Sequence, residues 1–314
     1  MDAATVTLAI ATMGIIILFG AFVAIKVPIT KEAKNLLMAI IINLAVPFII
    51  LNGVFNTEIS DEVFQQVFII FGASIVFNSV ATVIGIIIGR LIGFQLSKAK
   101  KLSLLAAIGN TGFIAIPLCA TLFGPIGGLL AAVFDAGLDF VLFSLGIYLL
   151  QSDQRFNIKQ LKALLNMPLL AITIGLLYVI SGLEAPAFMQ QLASMLSGLA
   201  APLAMLYIGF LLPPFFKKGQ TLYYRELWFP ILLKLIIFPA LTIFILSLIP
   251  LNTFLKQMLV ILTAMPTFML ASVLFSRYTN DEDKAVMTTV YSTILSLVTI
   301  PLVTVFAGFF FIKG

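Results

Sequence analysis

Apolar runs of about 20 residues follow one another along the whole chain, separated by short polar stretches. Runs of that length match a bilayer core of roughly 30 Å when helical. Ten helical spans are predicted: 5–25, 34–55, 64–92, 102–123, 126–151, 165–183, 188–214, 227–249, 254–276 and 285–312. Alternating ten-residue strands of the barrel type are missing from the pattern, so the expected fold is all-α. The fourth run breaks its own pattern with Gly109-Asn110-Thr111-Gly112-Phe113-Ile114-Ala115-Ile116-Pro117. Glycine leaves the backbone loosely specified, and proline removes a donor and crowds the preceding turn. Such a break is tolerated in hydrocarbon only where protein or a water-filled cavity satisfies the freed groups. The stretch therefore predicts a discontinuous helix at a binding site.

Composition supports the membrane reading. The chain has 314 residues, 61% hydrophobic and 10% charged, with mean hydropathy +1.17, against about 25% charged residues in soluble domains. The net charge of +5 calls for no nucleic-acid partner, because basic residues in such chains mark cytoplasmic loops. With ten spans, the odd-numbered connections hold Lys26, Lys31, Lys34, Arg90, Lys98, Lys100, Lys101, Arg155, Lys159, Lys162, Lys217, Lys218, Arg225, Arg277 and Lys284, fifteen of the 18 basic residues. That bias puts both termini on the extracytoplasmic side of a cell membrane. The first run lacks a preceding Lys or Arg and is long enough to span, which argues against a signal peptide. A single cysteine, Cys119, and no histidine exclude a disulfide framework, thiolate metal clusters and HExxH chemistry. No metal or organic cofactor is expected.

Two halves share a pattern. Leu44-Ala45-Val46-Pro47 in span two matches Leu199-Ala200-Ala201-Pro202 in span seven. From Pro47 to Asn110 is 63 residues, and from Pro202 to Pro266 in Ala264-Met265-Pro266-Thr267 is 64. Each half thus pairs a proline-bearing second span with an interrupted fourth span. Five spans per half invert the second copy, giving repeats 1–151 and 152–314, the signature of secondary transporters.

Broken half-helices present free N–H groups and partial positive charge to anions, and free carbonyls to cations. Asn110, Thr111 and Gly112 in the first break and Thr267 in the second are candidate substrate contacts, with Asn43 one turn before Pro47. Asp135 and Asp139 lie four apart on one face of span five, where each ionised carboxylate commonly costs ~2.5–3.5 kcal/mol. Lys234 is the one basic residue deep in a span, and its repeat mate is Ser79. These three are read as ion-coupling residues near the breaks: a proton carrier at Asp135 or Asp139, and a fixed cation at Lys234. A structural ion pair, or Asp residues near enough to the interface to be wet, is the competing reading, and it weighs equally for Asp139. An aspartyl protease is disfavoured, since carboxylates at i and i+4 on one helix cannot face each other across a substrate. Asn52, Asn78, Ser292 and Thr293 fit either cavity lining or interhelical hydrogen bonding. Asp281-Glu282-Asp283 reads as a solvated helix cap.

The stretch 109–118, ending Pro117-Leu118, resembles the fourth-span motif of the auxin efflux carrier family. The resemblance continues in Ala201-Pro202-Leu203-Ala204 with Ile208-Gly209, in Met265-Pro266 with Arg277-Tyr278, and in Ser292–Leu297 with Thr299-Ile300-Pro301-Leu302. Ala115 departs from the glycine common there. The resemblance implies ten helices in two inverted repeats within the bile acid–sodium symporter superfamily. It also implies a scaffold of spans one, two, six and seven and a transport domain of the rest. Spans four and nine would cross at Pro117 and Pro266, with Asn110 contacting substrate. The implied activity is efflux or exchange of small organic anions such as carboxylates, by alternating access of the elevator kind. The short link 152–162 fits a compact bacterial-type member. Lys234 can replace a cation electrostatically, which favours proton coupling or uniport over sodium coupling, protons first. The expected partners are an organic anion and the lipid bilayer, with a homodimer left open. A sensor using the same fold without net transport, and then a channel, are the alternatives to transport.

Overall fold

The computed structural model describes residues 3–57, 60–151, 162, 164–213 and 224–311. Among these, secondary structure is helical throughout, and the only β-pairing is an isolated bridge between Gly109 and Thr267. Seven helical stretches are long and apolar enough to cross a membrane: Ala4–Lys26, Lys31–Phe55, Asp61–Leu91, Thr111–Leu150, Ala187–Leu211, Arg225–Leu248 and Glu282–Phe311. Met167–Ile180 and Thr253–Thr263 are shorter apolar helices. Arg155, Lys159, Lys217, Lys218 and most of the expected inter-repeat link (152–161) lie outside the described residues.

Contacts divide the chain into two compact units. One comprises Met1–Phe68, Gly112–Val133 and Leu165–Leu222; the other comprises Ile69–Thr111, Phe134–Leu164 and Tyr223–Gly314. Each unit draws on both halves of the sequence.

In the first unit, α1 (Ala3–Lys26) buries Val6, Ile10, Met13, Ile17 and Gly20 as one stripe, while Leu8, Leu18, Phe19 and Phe22 stay exposed. A helix apolar on its outward face suits lipid and not water. The stripe packs on α10 (Ala200–Leu211), where Gly20 and Gly209 let the backbones touch. A methyl group at Gly209 would lie 2.3 Å from the Ile17 carbonyl oxygen. Next in order are α2 (Lys31–Ile40), capped by Thr30, a π turn at Ile41–Ala45, and α3 (Val46–Phe55), which packs on α8 (Met167–Ile180) and α9 (Ala187–Ser197). Span seven is expected as one helix. The chain instead stops α9 at Ser197 and starts α10 at Ala200, because Gly198 and then Pro202 weaken helix continuity there.

In the second unit, α4 (Asp61–Leu91) begins with two acids and ends with Arg90, in the sense that favours the helix dipole. Its first residues, up to Phe68, are assigned to the first unit. Ser74, Asn78 and Thr82 form a buried polar seam along it. Ser74 donates to Phe134 O at 2.5 Å, Asn78 to Ser74 O at 2.8 Å, and Thr82 to Asn78 O at 2.7 Å. Helix α5 (Leu96–Ala107) starts six residues before the expected span. Lys98, Lys100 and Lys101 end the apolar run but are good helix formers, so charge marks the membrane boundary and not the helix boundary. A π turn at Thr111–Ala115 then leads into α6 (Ile116–Val141), and the stretch from Gly112 to Val133 is assigned to the first unit. Gly124, at φ 72° and ψ −166°, interrupts α6 just before Pro125, where the boundary between spans four and five is expected. A second π turn at Leu142–Gly146 leads into α7 (Ile147–Leu150). Beyond Arg225–Leu227 come α11 (Trp228–Leu232), a π turn at Leu233–Ile237, and α12 (Phe238–Leu248). Span nine resolves into α13 (Thr253–Thr263) and α14 (Ala271–Tyr278), and α15 (Glu282–Phe311) closes the order.

Asp281 is not the freely solvated cap expected of it. Lys98 pairs with Glu226 at 3.3 Å, Glu226 with Lys284 at 3.1 Å, Lys284 with Asp281 at 2.8 Å, and Asp281 with Lys101 at 2.7 Å. This ionic chain joins the starts of α5, the eighth span and α15. Partial burial opposes ionisation of Asp281, but hydrogen bonds from Lys101 and Lys284 outweigh it and hold the carboxyl below its ordinary 3.8.

Two outcomes are expected. Gly209→Val should cost about 1–3 kcal/mol by overpacking, read as a lowered Tm of purified protein. The Asp281 pairing should stabilise the fold above pH ~4 and fade as pH falls through the depressed value. Asp281→Asn should therefore flatten the acid limb of a Tm-against-pH curve.

Candidate functional site

Helix α5 ends because Ile108 turns extended, at φ −78° and ψ 126°. The chain stays out of helical conformation to Asn110 and re-enters it at Thr111. The second break, 264–270, meets the first directly, and both lie in the second compact unit. Asn110 N–H donates to Pro266 O at 2.7 Å, and Phe268 N–H donates to Ile108 O at 3.3 Å. Gly109 and Thr267 face each other in the antiparallel bridge. Two broken helices thus satisfy part of each other's freed backbone.

Side chains cap more of the remaining groups. Thr267 Oγ1 donates to Leu105 O at 2.9 Å, and Thr267 N–H donates to Ser292 Oγ of α15 at 3.0 Å. Lys234, in the π turn before Pro239, is fully buried and donates to Ala107 O at 2.8 Å. Its ammonium also stands 5.9 Å from the centroid of the Phe77 ring. Among the described residues Lys234 makes no ion pair, so its charge is met by the carbonyl end of α5, the negative pole of that helix. Gly109 makes room for it: a methyl group there would lie 3.2 Å from Lys234 Nζ and 3.4 Å from Met265 Cβ. Thr111 Oγ1 donates to the Asp135 carboxylate in a short hydrogen bond.

The structure therefore brings Asn110, Thr111, Asp135, Lys234, Pro266 and Thr267 to one locality. Asp139 follows one turn later on α6, half-buried. Asn43, Gly112 and Pro117 belong to the other compact unit. There Asn43 is exposed in the π turn Ile41–Ala45, Gly112 is half-buried, and Pro117 is buried beside a cavity described below. Phe113 stacks on Tyr207 within that unit, with ring centroids 5.7 Å apart.

One polar atom at the break stands out. Asn110 is 2% exposed, and among the described residues its Nδ2 has no hydrogen-bond partner. Buried donors left unpaired are rare, and each calls for an unseen partner or a function. It sits at the start of the helical stretch beginning at Thr111, where N–H groups favour negative charge. Ser292 and Phe77 are contributors that sequence reasoning left ambiguous or passed over. A signal for Lys234 was available in Pro239, five residues on, which calls for a widened turn. Among the described residues no group of three acidic, histidine or cysteine side chains could hold a metal ion.

Helices of membrane-spanning length, two of them broken and paired around buried polar groups, define an integral membrane protein. The family model for membrane transport proteins matches residues 5–304, and the chain belongs to this family, that of the auxin efflux carriers. It is 26% identical over 289 residues to an uncharacterized transporter of Methanothermobacter thermautotrophicus, covering 92% of this chain and 94% of that one. An uncharacterized transporter of Methanocaldococcus jannaschii is 26% identical over 303 residues, with the same shares covered. The protein is thus a multi-pass membrane transporter and not an enzyme.

Stability should separate the two kinds of break residue. Thr267→Val strands Leu105 O and should cost about 1–3 kcal/mol. Asn110→Ala removes a side chain with no recorded bond and should leave Tm nearly unchanged.

Proposed function

We propose that the chain is a secondary transporter of small organic anions, carboxylates above all, with its substrate site at the crossing of the two breaks. The observation that carries this reading is the buried, unpartnered Nδ2 of Asn110 at a helix start, in the same locality as the buried Lys234. A carboxylate supplies the acceptor Asn110 lacks and the negative charge Lys234 lacks. Thr111, hydrogen-bonded to Asp135, links that anion to a titratable group. Protonation of Asp135 removes a negative charge from the locality and admits the substrate; its ionisation favours release. Transport is then coupled to protons, with Lys234 taking the place of a metal cation, and Asp139 is the reserve carrier.

The architecture proposed with it is ten spans in inverted repeats 1–151 and 152–314, both termini extracytoplasmic, in the cell membrane. Spans one, two, six and seven fall within the first compact unit and spans eight, nine and ten in the second, while spans three, four and five are divided between the two. This grouping supports a scaffold and a transport domain moving by an elevator-type step.

The test is uptake of labelled organic acids by proteoliposomes under imposed proton and sodium gradients. Saturable carboxylate uptake driven by protons is expected. Asn110→Ala should lower it by roughly tenfold, the loss of one hydrogen bond to a charged group. Asp135→Asn should abolish proton-driven accumulation while sparing exchange. Folded protein that moves no carboxylate would remove the proposal, and full uptake by Asn110→Ala would move the site elsewhere.

A further inference from the structure

A second polar cavity, of about 270 Å³, lies wholly within the first compact unit. It sits among the end of α3, the first turns of α6 and the interruption between α9 and α10. Its polar side chains are Asn52, Thr121 and Ser197, and two of its other walls are Pro117 and Pro125. Among the described residues none that lines it carries a charge. The hydrogen-bond inventory of this cavity is lopsided. Thr121 spends its proton on Pro117 O at 2.9 Å, and Ser197 spends its own on Ser194 O at 2.9 Å. Both hydroxyl oxygens are left with lone pairs only. Pro117 and Pro125 have no N–H to offer. Asn52 Oδ1 accepts from Asn56 at 2.8 Å, which leaves its Nδ2 as a donor.

The walls therefore present two hydroxyl acceptors and one carboxamide donor, without charge. A carboxylate has acceptors only, and would face the lone pairs of Thr121 and Ser197. A protonated carboxyl fits both sides: its O–H donates to a hydroxyl oxygen and its C=O accepts from Asn52 Nδ2. The cavity is far roomier than the oxygen shell of a dehydrated cation, at ~2.3–2.6 Å. We infer that this cavity binds a small carboxylic acid in its protonated, uncharged form, as a vestibule distinct from the anion site at the breaks. Substrate and proton occupy it together. That the ligand is a carboxylic acid rests on the proposed function; the preference for a donor-bearing, uncharged group does not.

Propionamide and methyl acetate, equal in size but with and without a donor, test it as probes by ligand-observed NMR on the full chain in nanodiscs. Propionamide should bind about tenfold more tightly, the weight of one hydrogen bond. Propionate should bind only as pH falls through the carboxyl range. Thr121→Val combined with Ser197→Ala should erase the amide preference, while Thr121→Ser and Asn110→Ala keep it. Equal binding of ester and amide, or an amide preference surviving in the double variant, overturns the inference. If the double variant does not fold, the amide–ester comparison on the unaltered protein decides. Absence of carboxylate transport would defeat the proposed function and leave this binding result standing.

Discussion

In hydrocarbon a backbone N–H or C=O without a partner costs several kcal/mol, and that constraint organises the second compact unit. Breaking a helix at 108–110 frees groups that no lipid can satisfy. A second break does much of it: Pro266 O takes the Asn110 proton, and Ile108 O takes that of Phe268. Thr267 reaches back to Leu105 O, and Ser292 accepts from the Thr267 amide. The pairing of the two breaks is thus what lets the chain leave the helix there. Proline 266 contributes through its carbonyl, which it keeps, and not through the donor it lacks.

Charge follows the same logic. The carbonyl end of α5 is a negative pole buried away from water, and Lys234 is drawn into it through Ala107 O. Burying an ammonium is costly unless it is hydrogen-bonded. One carbonyl and the face of Phe77 meet that need. Gly109 suits this arrangement, since a methyl group there would lie 3.2 Å from the ammonium and 3.4 Å from Met265 Cβ, close enough that the lysine would have to shift. At the other end of α5, the chain Lys98–Glu226–Lys284–Asp281–Lys101 ties separate elements together where water is at hand. Two kinds of electrostatic fixing thus bracket one short helix.

Much of this was legible in the sequence. Glycine, asparagine and proline inside an apolar run announced the first break, and the matched spacing from Pro47 and Pro202 pointed to the second. Asp135 and Lys234 stood out because charge is rare in such segments. The helix limits were less legible. Apolar length reports where lipid ends, so α5 was read as starting at 102, when its lysines belong to the helix. The interruption at Gly198 was missed because Leu199, Ala200 and Ala201 keep the run apolar. Ser292 was undecided between cavity and glue, since its partner, the Thr267 amide, is 25 residues away and backbone atoms leave no mark in composition.

Proline placement ties these observations together. Pro47, Pro117 and Pro239 each stand two residues beyond a π turn, at Ile41–Ala45, Thr111–Ala115 and Leu233–Ile237. A proline ring clashes with the carbonyl four residues earlier, and widening the preceding turn to an i→i+5 bond relieves it. Val46 N–H bonds to Ile41 O and Phe238 N–H to Leu233 O in this way. A widened turn rotates its residues relative to the regular helix. Thr111, Gly112 and Lys234 all lie in such turns, and so does the exposed Asn43. The prolines thus act at a distance of four to six residues, setting the orientation of side chains that the break itself does not hold. For Lys234 the consequence is direct. Replacing Pro239 while keeping Lys234 would permit a regular α-turn, rotate the ammonium away from Ala107 O, and leave the end of α5 uncapped.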